Sequence, residues 1–319
     1  MRFAAVSLKD SFGSVKEKAA IEQAVKIFGQ VAPKSPFGPG DDCAVVDYKT
    51  LKDKALITSD CVIAGRHFDI DSNPFLAGEK IIKRNISDIA AMGGIPLYAQ
   101  SSAVVCDNMS MKYLRAFLRG MASAAKEYNV KIIGGDLASV KSDFFSMHLT
   151  LIGRTETRAM LRSGAKDGDY VCVSGALGAS YESKRHLTFR PKVPEGRFLA
   201  ANKCVVSCMD ISDGIASDLK HLLCKGLCAE LVAEQIPVYK FKGNTLKKAL
   251  CDGEDYELLF CVRGKNSLAK LKTDFQKKFG SNIYEIGRIK KAPRKEFSEG
   301  LVLVENNKKR LLTEHGFEH

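Results

Sequence analysis

The sequence predicts an α+β or α/β protein of two domains. Three observations carry that expectation. Helix-like and strand-like periodicities intermix in both halves of the chain. A polar, turn-rich stretch, RTETRAMLRSGAKDGD (154–169), separates those halves. The length, 319 residues, suits two ordinary domains. The boundary is placed after residue 154, giving segments 1–154 and 155–319.

The first half opens on GSVKEKAAIEQAVKIFGQ, where Ile21, Val25 and Phe28 recur at helical spacing. A Pro/Gly loop, APKSPFGPGDD, follows, and then CAVVDY and KALITSDCVI read as strands joined by a polar turn. NPFLAGEKIIKRNISDIAAMGG reads as a long helix. Asn73 is its expected N-cap with Pro74 at the first position, and Gly93, Gly94 and Pro96 end it. LYAQSSAVV is a strand. SMKYLRAFLRGMASAAKEYN is a second long helix with Tyr113, Phe117 and Met121 on one face. VKIIGGD is a strand closing on glycines, and SMHLTLIGR alternates as a half-buried strand. The second half repeats the mixture. YVCVSG, CVVSCMD, DYELLFCV and a last pair read as strands, while ISDGIASDLKHLLCKG, NTLKKALCDG and SLAKLKTDFQKKFG read as helices.

Composition narrows the class. Hydrophobic residues make up 45% and charged residues 27%, values that support a sizeable core. No segment reaches the roughly 18 apolar residues of a membrane helix, and the first residues lack a long apolar leader, so neither a membrane nor a secretory role is expected. The ten cysteines are scattered with no CxxC pair, as in reduced, mostly buried thiols of a cytoplasmic protein. A net charge of +12 favours anionic partners without choosing among nucleic acid, headgroups and phosphorylated small molecules. The densest basic run, RIKKAPRK (288–295), has no interleaved aromatics and reads as solvated surface rather than a nucleic-acid contact.

The acids form a pattern. Asp41 and Asp42 follow GPG, Asp60 ends ALITSD, and Asp88 sits in NISDIAAMGG on the face of Asn85. Asp136 follows KIIGG, Asp210 ends CVVSCMD, and Asp213 falls in the first turn of the next helix. Carboxylates at strand ends and beside glycines supply hard oxygen ligands suited to Mg²⁺ with phosphates. Bland alternatives stand beside this. Asp213 suits a helix N-terminus on charge alone, Ser212 or Asp210 suits a cap, and Asp41 and Asp42 suit a plain turn. Asp218 is expected on an exposed helix surface. Asp60, Asp88 and Asp136 lie among apolar or small residues, where an unpaired acid is costly. There is no GxxxxGK[ST], no kinase HRD/DFG pair, no GxSxG and no GxGxxG.

Read in order, GPGDDCAVV, ITSDCVIAGRHF, NISDIAAMGGIPLYA, IIGGD, LRSGAKDGDYVCVSGALG, MDISDGIASDL and DGEDYELLF resemble the thiamine-monophosphate kinase family, within the aminoimidazole ribonucleotide synthetase-like superfamily. The resemblance implies an N-terminal α+β domain whose sheet builds a dimer barrel, a C-terminal α/β domain, and ATP with several Mg²⁺ ions in the cleft. It implies Asp42, Thr58, Ser59, Asp60, Asp88, Asp136, Asp210 and Asp213 as metal-site residues. Gly135, Asp136, Arg162 and Ser212 match nucleotide contacts, and His67, Glu254 and Phe317 match thiamine-phosphate contacts. Asp210, Asp213 and Arg162 carry the catalytic expectation. Asp252 stands where the family has a glycine, and Arg66 adds charge before His67. The implied reaction is ATP-dependent, in-line phosphorylation of thiamine monophosphate to thiamine diphosphate by a homodimer. Its acceptor is already an anion, so positioning and charge neutralisation suffice, without a nucleophile or triad. The alternatives are a synthetase of the same superfamily, of aminoimidazole ribonucleotide or selenophosphate type, and a basic nucleic-acid-binding protein. No Cys/Lys nucleophile pair near the N-terminus supports the selenophosphate branch.

Overall fold

A computed structural model describes residues 42–47, 54–106 and 109–316. The helix expected around Ile21, the turn at 48–53, Asp41 and Phe317 lie outside the described residues.

The first sheet contains β1 (Ala44–Asp47), β2 (Lys54–Ile63), β3 (Gly94–Cys106), β4 (Lys131–Val140) and β5 (Ser146–Thr155), in the order β1-β2-β5-β3-β4. β4 pairs in parallel with β3 and the other pairings are antiparallel. β4 does not close on its glycines as expected. It runs through Gly134 and Gly135 to Val140, because the ladder with β3 from Tyr98 to Cys106 continues past a register shift at Ile133. β5 alternates as its sequence predicts, with Met147, Leu149 and Leu151 buried and His148 exposed.

Two helices cover this sheet. α1 (Pro74–Ala91) starts where expected, with Asn73 accepting a hydrogen bond from the Phe75 amide and Pro74 at the first turn. α2 (Met111–Glu127) buries Phe117 and Met121 and packs Tyr113 against Phe145, ring centroids 6.3 Å apart. The helices touch through small residues. A Cβ on Gly78 would lie 1.9 Å from the Phe117 carbonyl oxygen, and one on Gly120 would lie 1.9 Å from that of Phe75.

The second half holds β6 (Tyr170–Val173), α3 (Arg185–Thr188), α4 (Val193–Ala201), β7 (Val205–Asp210), α5 (Ile215–His221), β8 (Leu227–Val232), α6 (Leu246–Cys251), β9 (Leu258–Val262), α7 (Lys265–Phe279), β10 (Tyr284–Lys291), β11 (Leu301–Glu305) and β12 (Lys308–Leu311). Its sheet has the order β12-β11-β8-β10-β6-β9-β7. Apolar clusters fill both faces, one around Ile215, Leu219 and Leu259, the other around Phe260, Leu271 and Phe275. The final segment forms three strands rather than two, since β12 returns antiparallel on β11.

α1 is the wedge between the halves. It packs on β2, β3 and β5 on one side and on β7, α3 and α4 on the other. Its polar residues therefore face an interface, and Lys80, Lys83, Arg84, Asn85 and Ser87 are all buried.

Candidate active site

The cleft beside α1 is lined by Asp42, Thr58, Ser59, Asp60, Arg84, Asp88, Arg162, Asp210, Ser212 and Tyr256, and encloses about 220 Å³. Asp42 lies two residues before β1, Thr58, Ser59 and Asp60 lie on β2, Asp88 on the last turn of α1, and Asp210 at the end of β7. One oxygen from each of Asp42, Asp88 and Asp210 falls within 4.8 Å of the others. At that separation each ionised pair repels by roughly 3–4 kcal/mol at an effective dielectric of 20.

The surroundings relieve only part of this. The Thr58 hydroxyl donates to Asp88 Oδ2 at 2.5 Å, and the Ser87 hydroxyl to Asp210 Oδ2 at 2.5 Å. Arg162 donates to Asp42, and Arg84 holds both oxygens of Asp60 at 3.2 Å. Burial, followed by the charges of Asp60, Asp210 and Asp42, raises the Asp88 carboxyl well above the usual range. Burial and then Asp42 push Asp210 up to about 7. Fully ionised, the four carboxylates outnumber the two guanidinium groups by two charges. A site of hard oxygens with surplus negative charge fits a divalent cation such as Mg²⁺. The adjacent Cys43 thiol is held protonated by burial and by Asp88 and Asp42, so it is not a nucleophile.

The other expected residues divide into two groups. Ser212 lines the cleft. His67 and Glu254 meet through one residue that sequence reasoning missed. The fully buried Lys80 ammonium donates to both Glu254 oxygens at 2.7 Å and to the His67 carbonyl at 2.6 Å. Burial lowers Lys80 to about 8, against the opposing pull of Glu254. By contrast, Gly135 and Asp136 sit on exposed β4, opposite Ser101 and Ser102, and do not line this cleft.

Asp213 precedes α5 rather than lying in its first turn. The helix is capped by Gly214 at φ 93, with no side-chain cap from Ser212 or Asp210. The expectation for Asp218 is also corrected. It is 1% exposed, because α5 is packed into the core, and its Oδ2 accepts the Asp213 amide at 3.1 Å. Burial, with Asp213 and Asp210 nearby, raises its carboxyl well above the usual range.

The GEDYEL segment is locked in an uncommon conformation. Glu254 (φ 53) and Tyr256 (φ 51) are left-handed, at a cost on the order of 1 kcal/mol or more each. Their amides are repaid by Ser212 O at 2.6 Å and Ile211 O at 2.8 Å. Gly253 is required there, since a Cβ would meet Ser212 O at 2.4 Å. Asp252, at φ −67, needs no glycine. Asp255 ties the far side to Arg185, Ser180 and the Gly178 amide. Lys80, Arg84 and Asp88 recur every four residues on α1, a spacing that places them on one helix face and was the available signal for Lys80 and Arg84, neither of which the sequence reading singled out.

A family model described as "AIR synthase related protein, N-terminal domain" matches residues 40–155. A chain of a HypE–HypF complex has a TM-score of 0.70 at 19% identity over 92% of this chain and 99% of its own, and shares the fold alone. The fold is therefore that of the AIR synthase related class, with the acidic cleft beside α1. Nearer relatives refine this. Thiamine-monophosphate kinase of Buchnera aphidicola subsp. Acyrthosiphon pisum is 33% identical over 88% of this chain and 92% of its own length. The Aquifex aeolicus thiamine-monophosphate kinase is 34% identical over 69% and 79%. A solved structure of AaThiL complexed with AMPPCP and TMP is 26% identical, with a TM-score of 0.79, over 98% of this chain and 100% of that one. The chain belongs to the thiamine-monophosphate kinase family.

Proposed function

We propose that the cleft transfers the terminal phosphoryl group of ATP to the phosphate of thiamine monophosphate, giving ADP and thiamine diphosphate. The observation that carries this reading is the convergence of Asp42, Asp88 and Asp210 from three separate segments beside Arg162. The bond from the γ-phosphorus to the ADP oxygen breaks as a bond to an acceptor phosphate oxygen forms. No side chain needs to remove a proton from a phosphate that is already ionised.

Asp42, Asp88 and Asp210 would hold Mg²⁺, with Asp60, Thr58 and Ser59 beside them and Asp136 and Asp213 completing the set implied by the resemblance. Bound Mg²⁺ supplies charge neutralisation for the polyphosphate. Arg162 adds a fixed positive charge toward it, aligned by Asp42. Ser212 serves the nucleotide in the cleft, and Gly135 and Asp136, which lie on β4 outside it, are assigned to the nucleotide by the resemblance alone. His67 and Glu254, joined through Lys80, serve the acceptor, as does Phe317.

Three further readings go with this one. The chain divides into 1–154 and 155–319, in keeping with its two sheets. It acts as a homodimer through β4, which exposes Ile132, Ile133 and Leu137 on a sheet edge. It works in the cytoplasm, in keeping with ten free cysteines. Among the described residues no helix is long and apolar enough to cross a membrane.

Incubation with ATP, Mg²⁺ and thiamine monophosphate should give ADP and thiamine diphosphate in equal amounts, with free thiamine and aminoimidazole precursors inert. ADP release with thiamine monophosphate left unchanged would refute the reading.

A further inference from the structure

We propose that Arg84 binds the phosphate of the acceptor and so makes the site select a phosphate monoester over the free alcohol. The inference rests on the reading of the cleft given above.

Position is the first argument. Arg84 lies one helical turn, about 5.4 Å, from Lys80 and one from Asp88. Lys80 marks the acceptor end, through Glu254 and His67. Asp88 marks the carboxylate group. A phosphate that receives a phosphoryl group must sit between those ends, and Arg84 lines the cleft there.

Capacity is the second. A guanidinium carries five N–H donors. Arg84 Nε and Nη2 donate to Asp60, and Nη1 to the Cys61 carbonyl at 2.8 Å. Three donors are used and two remain. Lys80 has no such capacity, since its ammonium is taken by Glu254 and His67.

Charge is the third. Arg84 is 7% exposed, and Asp60 is its carboxylate partner. Asp60 also belongs to the residues implied for the cation. When Asp60 is drawn to a cation, the buried guanidinium needs another anion. A phosphate dianion entering beside four carboxylates needs a cation in turn. Exchange of partners satisfies both, and the planar fork of Arg suits two phosphate oxygens.

Titration calorimetry on the full Mg²⁺-loaded chain without nucleotide tests this with thiamine monophosphate and thiamine. Arg84→Gln is expected to weaken thiamine monophosphate at least tenfold and thiamine less than twofold, and to raise KM for thiamine monophosphate but not for ATP. Parallel loss for both ligands, unchanged affinity for both, or a rise confined to KM for ATP would overturn the assignment. Should Arg84→Gln fail to fold, Arg84→Lys keeps a cation beside Asp60. It is expected to lose about threefold for thiamine monophosphate alone, and full affinity in that variant would overturn the bidentate role. A wild-type chain that turns over thiamine monophosphate but binds thiamine as tightly refutes Arg84 selection only. A wild-type chain that neither binds nor turns over thiamine monophosphate refutes the functional reading, and this inference with it.

Discussion

Asp210 concentrates the conflict in the site. Burial and the neighbouring Asp42 raise its carboxyl from 3.8 to about 7, while the Ser87 hydroxyl and Arg162 pull the other way. A carboxyl raised on folding stabilises the fold while protonated. That contribution is complete below about 3.8 and is lost as pH rises through about 7. The metal-free chain is therefore expected to melt lower at pH 8 than at pH 6, and Mg²⁺ to raise Tm more at pH 8. Thermal scans in EDTA and in Mg²⁺ at both pH values check this. An equal Mg²⁺ effect at the two pH values would contradict it. Asp210→Asn removes the ionisable group but keeps an acceptor for Ser87. Turnover should fall by about 100-fold or more, the scale of losing one electrostatic contact in a transition state. The metal-free Tm should not drop, and should lose part of its pH dependence, the raised carboxyls of Asp88 and Asp218 keeping the rest. A variant with near-normal kcat would remove Asp210 from the ligand set.

At the scale of elements, α1 explains why separate side chains meet. Its start and stop were legible from Asn73, Pro74 and the Gly93–Gly94 pair. Its role as a wedge was not, because a helix read alone is expected to turn charges to solvent. Lys80, Arg84 and Asp88 face inward only because a second sheet lies there. Asp218 was misplaced for the same reason, on a short helix enclosed by the core. The contact between α1 and α2 depends on bare glycine backbone, so Gly120→Ala drives a methyl into the Phe75 carbonyl. Destabilisation of about 1–3 kcal/mol is expected in denaturant melts. Since α1 carries Lys80, Arg84, Ser87 and Asp88, kcat should also fall under conditions where the variant stays folded. Wild-type stability in this variant would show that the helices can separate freely.

For the whole molecule, short apolar runs made most strands of both sheets legible, with β5 alone read by alternation, and ordered acidic motifs made all four of the cleft carboxylates findable before any geometry. What sequence could not supply was partnership across the halves. Lys80 with Glu254, and Ser87 with Asp210, are separated by 174 and 123 positions. The exposed edge β4 gives the assembly prediction. The chain should elute as a dimer, and Leu137→Asp, at a position 59% exposed, should shift it to monomer with little loss of monomer fold. A wild-type monomer on a sizing column would contradict the dimer reading. The central claim is that the clustered acids gather divalent cations around a nucleotide's phosphates. Its most direct test is an anomalous difference map of crystals grown with Mn²⁺ and a non-hydrolysable ATP analogue. The account predicts peaks about 2.1 Å from oxygens of Asp42, Asp88 and Asp210, shared with the phosphate chain. Nucleotide bound in the cleft with no metal peak among those three carboxylates would contradict it.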